Sequence, residues 1–322
     1  MTGFPFGDRE ISLAMLGMVE GNGHPYSWSI IINGSYDSDA LARCPYPVIQ
    51  DYIAKQSTET LGIPGAKVTH VWTDHPADAE LVSQVAHIPI IVERAEDVIG
   101  QVDAVLVATD KGFEHVERAR PFVEAGIPVF VDKPLCDNRQ DLRIFSNWVA
   151  EGRPIISSSA MRYAKEFAPY HRSTQEFGPL RHINMTMAKK WETYGIHALE
   201  TIYPIVGPGF VSVQNTGDAD RNIVHLTHRD GIDITISVVS DMIGGAGLLT
   251  LAGTNGGIQL RSNDTYHAFK TQLESYVEYL RTEQPPVFFE ETRELMMLVI
   301  AGIESREQGG RKIMLSEMEN SP

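Results

Sequence analysis

Lys133 and His197 are the two residues of this 322-residue sequence best suited to proton chemistry. Lys133 follows the apolar run VFVD and precedes a proline, which biases its backbone toward an extended conformation. A lysine held at the end of a buried strand can hydrogen-bond a substrate hydroxyl and exchange its proton. His197 lies early in an apolar helical segment, where an imidazole can act as a general base near neutral pH. A solvated strand-end lysine and a packed or capping histidine are the structural alternatives.

A glycine-rich turn after the first apolar run is a candidate phosphate-binding loop. Glycines there let backbone amides approach a pyrophosphate at the start of a helix. The standard G-x-G-x-x-G spacing is absent and the chain has G-x-x-x-G-x-G, so a tight surface loop is an equally good interpretation. The candidate cofactor-binding residues of this turn are Gly17, Met18, Gly21 and Gly23.

Further candidate cofactor contacts follow the next apolar runs. Asp74 can bind the ribose hydroxyls and would repel a 2′-phosphate, which favours NAD over NADP, or it can cap the following helix. Thr109 and Asp110 end a buried run, VDAVLVAT, and ligands of open α/β sheets bind beyond strand ends. His115 follows one helical turn later, either near the cofactor or packed within its helix.

The elements that must position these residues alternate in the first half of the chain. This βαβα order predicts a parallel, doubly wound Rossmann sheet. The interval between the first two strands is long, and we predict an extended loop or insertion there, then a helix near 48–56. The predicted strands are 11–17, 67–73, 88–92, 102–109, 127–131 and 154–158, and the predicted helices are 77–86, 112–125 and 137–150.

The second half has alternating apolar and polar runs followed by two helical patterns. This order predicts an α+β domain with an open, mainly antiparallel sheet, and Asp230-Gly231 indicates a hairpin. The predicted strands are 180–190, 210–213, 222–228, 232–239, 248–252 and 257–260, and the predicted helices are 267–281 and 290–306.

Composition limits the classes of partner. The formal net charge of −15 disfavours nucleic acid and anionic membrane surfaces. Two cysteines, Cys44 and Cys136, cannot form a disulfide framework. Together with an N-terminus without an apolar signal segment, they predict a cytoplasmic protein. No histidine or cysteine spacing indicates a metal site.

Four segments, in this order, resemble the Gfo/Idh/MocA oxidoreductases, the family of glucose–fructose oxidoreductase and inositol dehydrogenase. The first ends in VFVDKPL and is similar to the family's strand–helix–strand unit with its Glu-Lys-Pro motif, with Asp132 in place of the glutamate. The others are SSAMRYAKEFAPY, YGIHALETIYPIVG and the C-terminal stretch from AFKTQLESYVEYL to GGRKIML. The resemblance covers nearly the whole chain.

The resemblance implies a dinucleotide-binding Rossmann domain over 1–155 and a substrate domain over 156–322 that often also forms homo-oligomer contacts. It implies hydride transfer at C4 of a nicotinamide, to or from a secondary hydroxyl or carbonyl of a sugar, cyclitol or related polyol. Lys133 would contact nicotinamide and substrate, and His197 would be the acid/base. Many members carry an aspartate where this chain has Thr193. The candidate substrate contacts are Arg162, Tyr163, Thr193 and Tyr194, with Glu192 as a further candidate.

Two other classes of function stay open at this point. A retained NAD could support elimination or epimerisation without net redox change, and the altered glycine turn motivates that hypothesis. A non-catalytic nucleotide- or sugar-binding protein is the other hypothesis, motivated by the same turn and by Thr193. Retention of both Lys133 and His197 argues against the non-catalytic hypothesis.

Overall fold

The computed structural model describes residues 6–319, which form two compact units. Both units are discontinuous in sequence. The first contains 6–133, 144–158 and 269–288, and the second contains 134–143, 159–268 and 289–319. The functional division at residue 155 does not coincide with these units and stays a prediction.

The N-terminal half alternates strands and helices. In chain order these are β1 (Ile11–Leu16), α1 (His24–Asn33), α2 (Ser38–Leu41), α3 (Pro47–Ala54), β2 (Ala66–Trp72), α4 (Pro76–Ala86), β3 (Ile90–Ile91), β4 (Ala104–Val107), α5 (His115–Glu124), β5 (Val129–Val131), α6 (Arg139–Ala150) and β6 (Ile155–Ile156).

The sheet of the first unit has the order β3-β2-β1-β4-β5-β6, and every neighbouring pair is parallel. Every residue of β4 and β5 is buried, as in sheets covered on both faces. The predicted doubly wound parallel sheet is therefore confirmed. The strand order reverses between β1 and β4, where open α/β sheets bind their ligands at the carboxyl ends of the strands.

The segment between β1 and β2 was predicted to be an extended loop or an insertion, and it is a helical insertion. It contains three helices, and α1 begins at His24, directly after the glycine turn. Residues 25–32 of this helix are all buried, so it lacks the amphipathic pattern that identifies surface helices. Its ends are marked by Pro25 in the first turn and by Gly34 in the left-handed conformation. The helix predicted near 48–56 is present as α3.

The second half begins with β7. Its elements are β7 (Leu180–Ala188), α7 (Ile196–Val206), β8 (Phe210–Asn215), β9 (Arg221–His228), β10 (Ile232–Val239), β11 (Leu248–Gly253), β12 (Gly257–Arg261), α8 (Thr265–Thr282), α9 (Phe289–Glu307), β13 (Ile313–Met314) and α10 (Leu315–Glu319).

The sheet of the second unit has the order β12-β11-β7-β10-β9-β8-β13. Only β7 and β10 pair in parallel among its strands, so the predicted mainly antiparallel sheet is confirmed. The predicted hairpin joins β9 and β10, with Gly231 at φ +73°. The short strand β13 was not predicted.

Along β10, Ile234 and Ile236 are fully buried while Thr235 and Ser237 are half-buried, and α7 packs against the neighbouring β7. No helix within residues 6–319 combines the length and the apolar character needed to cross a bilayer.

Candidate active site

The glycine turn after β1 is sterically closed to larger residues. Gly17 has φ +84°, and a Cβ there would lie 2.8 Å from Cγ2 of Thr109. A Cβ at Gly23 would lie 2.5 Å from Cδ1 of Ile49, a residue of α3. Gly21 has φ +83°, a conformation that glycine adopts without strain. The turn is therefore closely packed at Gly17 and Gly23, where a side chain does not fit, while Gly21 has open space and only its backbone conformation favours glycine.

Asp74 lies two residues after β2 and contacts this turn. Its Oδ2 accepts the backbone N–H of Met18 at 3.0 Å, and its Oδ1 lies 2.8 Å from NH2 of Arg118. Burial opposes ionisation, but Arg118 and the Met18 amide outweigh it, so the pKa of Asp74 lies below its ordinary value. The capping alternative is wrong, because His75 is the N-cap residue of α4 and no side chain caps that helix end.

Two cavities adjoin these residues. A cavity of about 420 Å³ is lined by Met18, Tyr46, Asp74 and Arg118, among others. A second cavity, of about 230 Å³, shares Arg118 with the first and is largely apolar. Its lining includes Gly17, Trp72 and Phe122.

Thr109 and His115 lie together beyond the end of β4. Both are fully buried, and Nε2 of His115 lies 2.9 Å from the carbonyl oxygen and 3.2 Å from Oγ1 of Thr109. This burial favours the packing alternative for His115, which supports the main chain at Thr109. Its predicted role as a direct cofactor contact stays untested.

Asp132 is the buried centre of a polar group that we call the β5 cluster, formed by Asn22, His24, Asp110, Asp132 and Lys133. Its Oδ2 lies 2.6 Å from Nδ1 of His24 and accepts a 3.1 Å hydrogen bond from Asn22. Its Oδ1 accepts the backbone N–H of Lys133 at 2.7 Å. Burial opposes ionisation, but attraction to His24 and Lys133 outweighs it and lowers the pKa of Asp132 to about 2. Asp132 is therefore an anion at neutral pH.

Lys133 is only 3% exposed, so the alternative of a solvated lysine is wrong. Its Nζ lies 3.5 Å from Oδ2 of Asp110. The two carboxylates of the β5 cluster thus offset the free-energy cost of keeping a positive charge out of water.

Asn22 and His24 were not predicted as site residues. The His24 ring also stacks on Trp28, with ring centroids 4.5 Å apart. The signal in the sequence was a pair of departures from the family pattern, the Asn-Gly-His of the glycine turn and aspartate before Lys133. The residues at these two departures are in contact in the structure, since the carboxylate of Asp132 contacts both Asn22 and His24.

His197 lies at the start of α7, within the second unit. Its Nδ1 is 2.6 Å from Oγ of Ser159, which also accepts the backbone N–H of Met161 at 3.1 Å. Because a hydroxyl can donate or accept, Ser159 can hold either neutral tautomer of the imidazole. Ser159 was not predicted as a site residue, although it belongs to the quoted segment SSAMRY.

Glu200, one turn after His197 along α7, supports this arrangement. It is buried, and its Oε1 accepts the backbone N–H of Ser159 at 3.1 Å. Arg162 pairs with its Oε2 and also reaches Oε2 of Glu291 at 3.1 Å. Burial raises the pKa of Glu200 above its ordinary value despite the attraction of Arg162. Arg162, predicted as a substrate contact, therefore holds two carboxylates in place.

A π-helical turn, Trp191–Gly195, precedes α7, and such turns are frequent at functional sites. Gly195 leaves room for the buried Trp191 indole, since a Cβ there would lie 2.6 Å from its ring. Thr193 and Tyr194 are half-buried in this turn, and Tyr163 is half-buried elsewhere in the unit. The Tyr194 and His197 rings pack edge to face, with centroids 4.7 Å apart.

Residues 6–319 contain no group of three or more His, Cys, Asp or Glu side chains that could hold a metal ion.

Part of the chain is similar to known proteins. Residues 47–154 match the Gfo/Idh/MocA family, described as an oxidoreductase family with an NAD-binding Rossmann fold. A putative UDP-kanosamine synthase oxidoreductase subunit of Amycolatopsis mediterranei is 25% identical over 153 residues. That match spans 41% of this chain and 42% of the relative's length.

Solved structures extend the likeness of fold to nearly the whole chain. A probable dehydrogenase from Thermotoga maritima has a TM-score of 0.74 at 14% identity, covering 96% of this chain and 100% of that one. A putative myo-inositol dehydrogenase from Sinorhizobium meliloti has a TM-score of 0.73 at 15% identity, covering 95% and 99%. The fold is thus a Rossmann sheet together with a second, mixed-sheet unit, as in these structures. The family match covers residues 47–154 of the 322, and the likeness to the solved structures is one of fold.

Proposed function

We propose that the protein is a nicotinamide-dependent dehydrogenase acting on a secondary hydroxyl or carbonyl of a sugar, cyclitol or related polyol. The observation that carries this proposal is the burial of Lys133 beyond the end of β5 in a Rossmann sheet. A buried ammonium is costly unless it is paired. Asp110 pairs with it at 3.5 Å and the Asp132 carboxylate attracts it, at an edge where such sheets bind ligands. This arrangement supports a role in the reaction.

The residues of the first unit fit a dinucleotide. Gly17 presents backbone without a Cβ next to Thr109, as close approach of a pyrophosphate requires. The cavity of about 420 Å³ is lined by Met18, Asp74 and Arg118. We assign the pyrophosphate to the glycine turn and the adenosine ribose to Asp74. When bound, the nicotinamide supplies the hydride acceptor or donor at C4.

We assign the proton to His197 and the substrate oxygen to Lys133. Because Ser159 engages Nδ1 of His197, proton exchange with a hydroxyl would use Nε2. As Nε2 gains the proton, Nδ1–H can donate to the Ser159 hydroxyl. Lys133 would donate a hydrogen bond to a substrate oxygen and stabilise its developing negative charge.

NAD is the proposed cofactor, because Asp74 is held as an anion at the position that meets the ribose. A 2′-phosphate would be repelled by this carboxylate, whereas Arg118 beside it would attract one. Fluorescence titration with NADH and NADPH decides whether repulsion of the 2′-phosphate by Asp74 or its attraction to Arg118 is stronger. Tighter binding of NADPH would reject this assignment of Asp74.

The second candidate function is an enzyme that retains its nucleotide. It is favoured by the side chains that cover the glycine turn. Tyr46 and Ile49 pack against Gly23, and Tyr46 also lines the cavity beside the turn. An enclosed NAD would support elimination or epimerisation without net redox change. Nucleotide released by denaturing extensively dialysed protein would support this candidate, and free exchange with added NAD would reject it.

The main proposal is tested by comparing the wild type with Lys133→Met. Turnover of a panel of polyols and sugars is measured for both proteins with NAD as the cofactor. Loss of the buried ammonium is expected to lower kcat by about a hundredfold or more, while NADH binding stays within a few-fold. Lys67→Met, at an exposed position of β2, is the matched control and should retain activity. Full turnover by Lys133→Met would reject the mechanism.

A further inference from the structure

We propose that the substrate carries an anionic group, a carboxylate or a phosphate ester, and that Lys189 binds this group beside His197. This inference rests on the proposed dehydrogenase function and specifies its substrate class. Lys189 immediately follows β7 and lies two residues before the π-helical turn that leads to His197.

The backbone of Lys189 is in the left-handed conformation, at φ +65°. A residue with a Cβ is disfavoured there by about 1–2 kcal/mol, and such conformations cluster at functional sites. A glycine would adopt this φ without strain, yet the chain has lysine. The strain is consistent with selection for the ammonium group.

The aromatic ring of Tyr194 contacts both the side chain of Lys189 and the imidazole of His197. Its Nζ lies 4.6 Å from the centroid of the Tyr194 ring. That ring packs edge to face against His197, with centroids 4.7 Å apart. A cation held over an aromatic face is restricted in position without being neutralised.

The carboxylates nearest in sequence are already paired with arginine. Glu192, in the π-helical turn, pairs with Arg306, and Glu200, in α7, pairs with Arg162. Among residues 6–319, no carboxylate oxygen lies within 4.0 Å of Nζ of Lys189. The remaining residues of the turn, Trp191, Thr193, Tyr194 and Gly195, are uncharged.

This arrangement leaves positive charge on a residue that shares the Tyr194 ring with the proposed acid/base, His197, in a protein whose formal net charge is −15. An overall negative field repels anions, so a local cation is needed to hold one. An ammonium is a compact donor of three hydrogen bonds, and it donates equally well to carboxylate or phosphate oxygens. A sugar acid or a sugar phosphate therefore fits better than a neutral polyol.

The experiment compares glucose, glucuronate and glucose 6-phosphate by calorimetry on the NADH-bound protein. We expect at least one anionic sugar to bind about tenfold or more tightly than glucose, because tenfold corresponds to about 1.4 kcal/mol, the scale of one ion pair shielded from water. The preference should weaken with added salt. The anion that binds more tightly identifies the group as a carboxylate or a phosphate.

Lys189→Met keeps the length of the side chain and removes the charge, so it should abolish the preference. Lys189→Arg should keep most of it, and Lys190→Met, at the exposed neighbouring residue, should keep all of it. The inference is overturned if neither anionic sugar binds more tightly than glucose, or if Lys189→Met keeps the preference. Failure of NADH to bind would instead reject the dehydrogenase function. The binding of the three sugars would then be compared on nucleotide-free protein, which still tests whether Lys189 binds an anion.

Discussion

The hydroxyl of Ser159 is the group that orients the imidazole of His197. It meets Nδ1 at 2.6 Å and is itself fixed by the backbone N–H of Met161. Glu200 holds the Ser159 backbone from the same helix that carries His197. The imidazole is thus oriented by a neutral hydroxyl, which can donate to or accept from Nδ1 and so fits either tautomer of the ring.

Ser159→Ala is predicted to lower kcat about tenfold, the effect of losing one orienting hydrogen bond. The pH dependence of kcat should also shift, since the imidazole loses a partner for its Nδ1 atom. Ser159→Thr should restore both properties, and Ser173→Ala, at an exposed position, should change neither. An unchanged pH profile in Ser159→Ala would limit Ser159 to a packing role.

The carboxylate of Asp132 makes stability depend on pH. Its folded-state pKa of about 2 lies below the ordinary 3.8, so its contribution is present above the unfolded-state pKa. That contribution, about 2 kcal/mol, is lost as the pH falls from about 4 toward 2.

Asp132→Asn is therefore predicted to lower the free energy of unfolding by about 2–3 kcal/mol at neutral pH and by less near about pH 3. Urea unfolding at both pH values measures the difference. Asp51→Asn, at an exposed position, should have little effect at either pH. If the difference in free energy of unfolding between the wild type and Asp132→Asn is as large near about pH 3 as at neutral pH, Asp132 is not the anion assigned here.

At the scale of elements, the glycine turn between β1 and α1 can be tested with a matched pair of substitutions. Gly17 and Gly100 have nearly the same backbone, with φ +84° and +81°. A Cβ at Gly17 meets Thr109 at 2.8 Å, whereas a Cβ at Gly100 has nothing within 4 Å. Only the first position combines backbone strain with a steric clash beside the proposed pyrophosphate site.

Gly100→Ala should destabilise the protein by about 1 kcal/mol and leave NADH affinity unchanged. Gly17→Ala should destabilise it at least as much and also weaken NADH binding about tenfold or more. Chemical unfolding and NADH titration of both variants measure the two effects. Equal NADH affinity in the two variants would remove the glycine turn from the cofactor site.

The sequence predicted the strands well because their apolar runs report burial directly, as in β4 and β5. It missed α1, whose buried faces remove the periodicity of an amphipathic helix. It also missed the contacts of His24 with Asp132 and of Ser159 with His197, since these pairs lie 108 and 38 residues apart. Local patterns locate a lysine or histidine at the end of an element, but they do not identify its tertiary partners.

At the scale of the whole molecule, homo-oligomer formation stays a prediction. The second unit offers a sheet face on β10 that presents half-buried Thr235 and Ser237, with the exposed Asp233 near the start of the strand. Thr235 lies opposite Asn184 of β7 and His225 of β9, near the middle of the sheet. If this face joins subunits, a long charged side chain at Thr235 would be buried without a partner.

Thr235→Arg is predicted to convert the oligomer to a smaller species, as measured by light scattering coupled to size-exclusion chromatography. Thr58→Arg, at an exposed position of the first unit, is the control and should leave the mass unchanged. A monomeric wild type, or an oligomer that survives Thr235→Arg, would contradict this assignment of the sheet face.

The central claim is that the Rossmann unit holds a nicotinamide dinucleotide despite its altered glycine turn. Titration of the purified protein with NADH and NADPH, followed by nicotinamide fluorescence and by assay of nucleotide released on denaturation, tests it most directly. We expect micromolar binding of NADH and weaker binding of NADPH, because Asp74 is anionic beside Met18. Binding of neither nucleotide, with none released on denaturation, would contradict it.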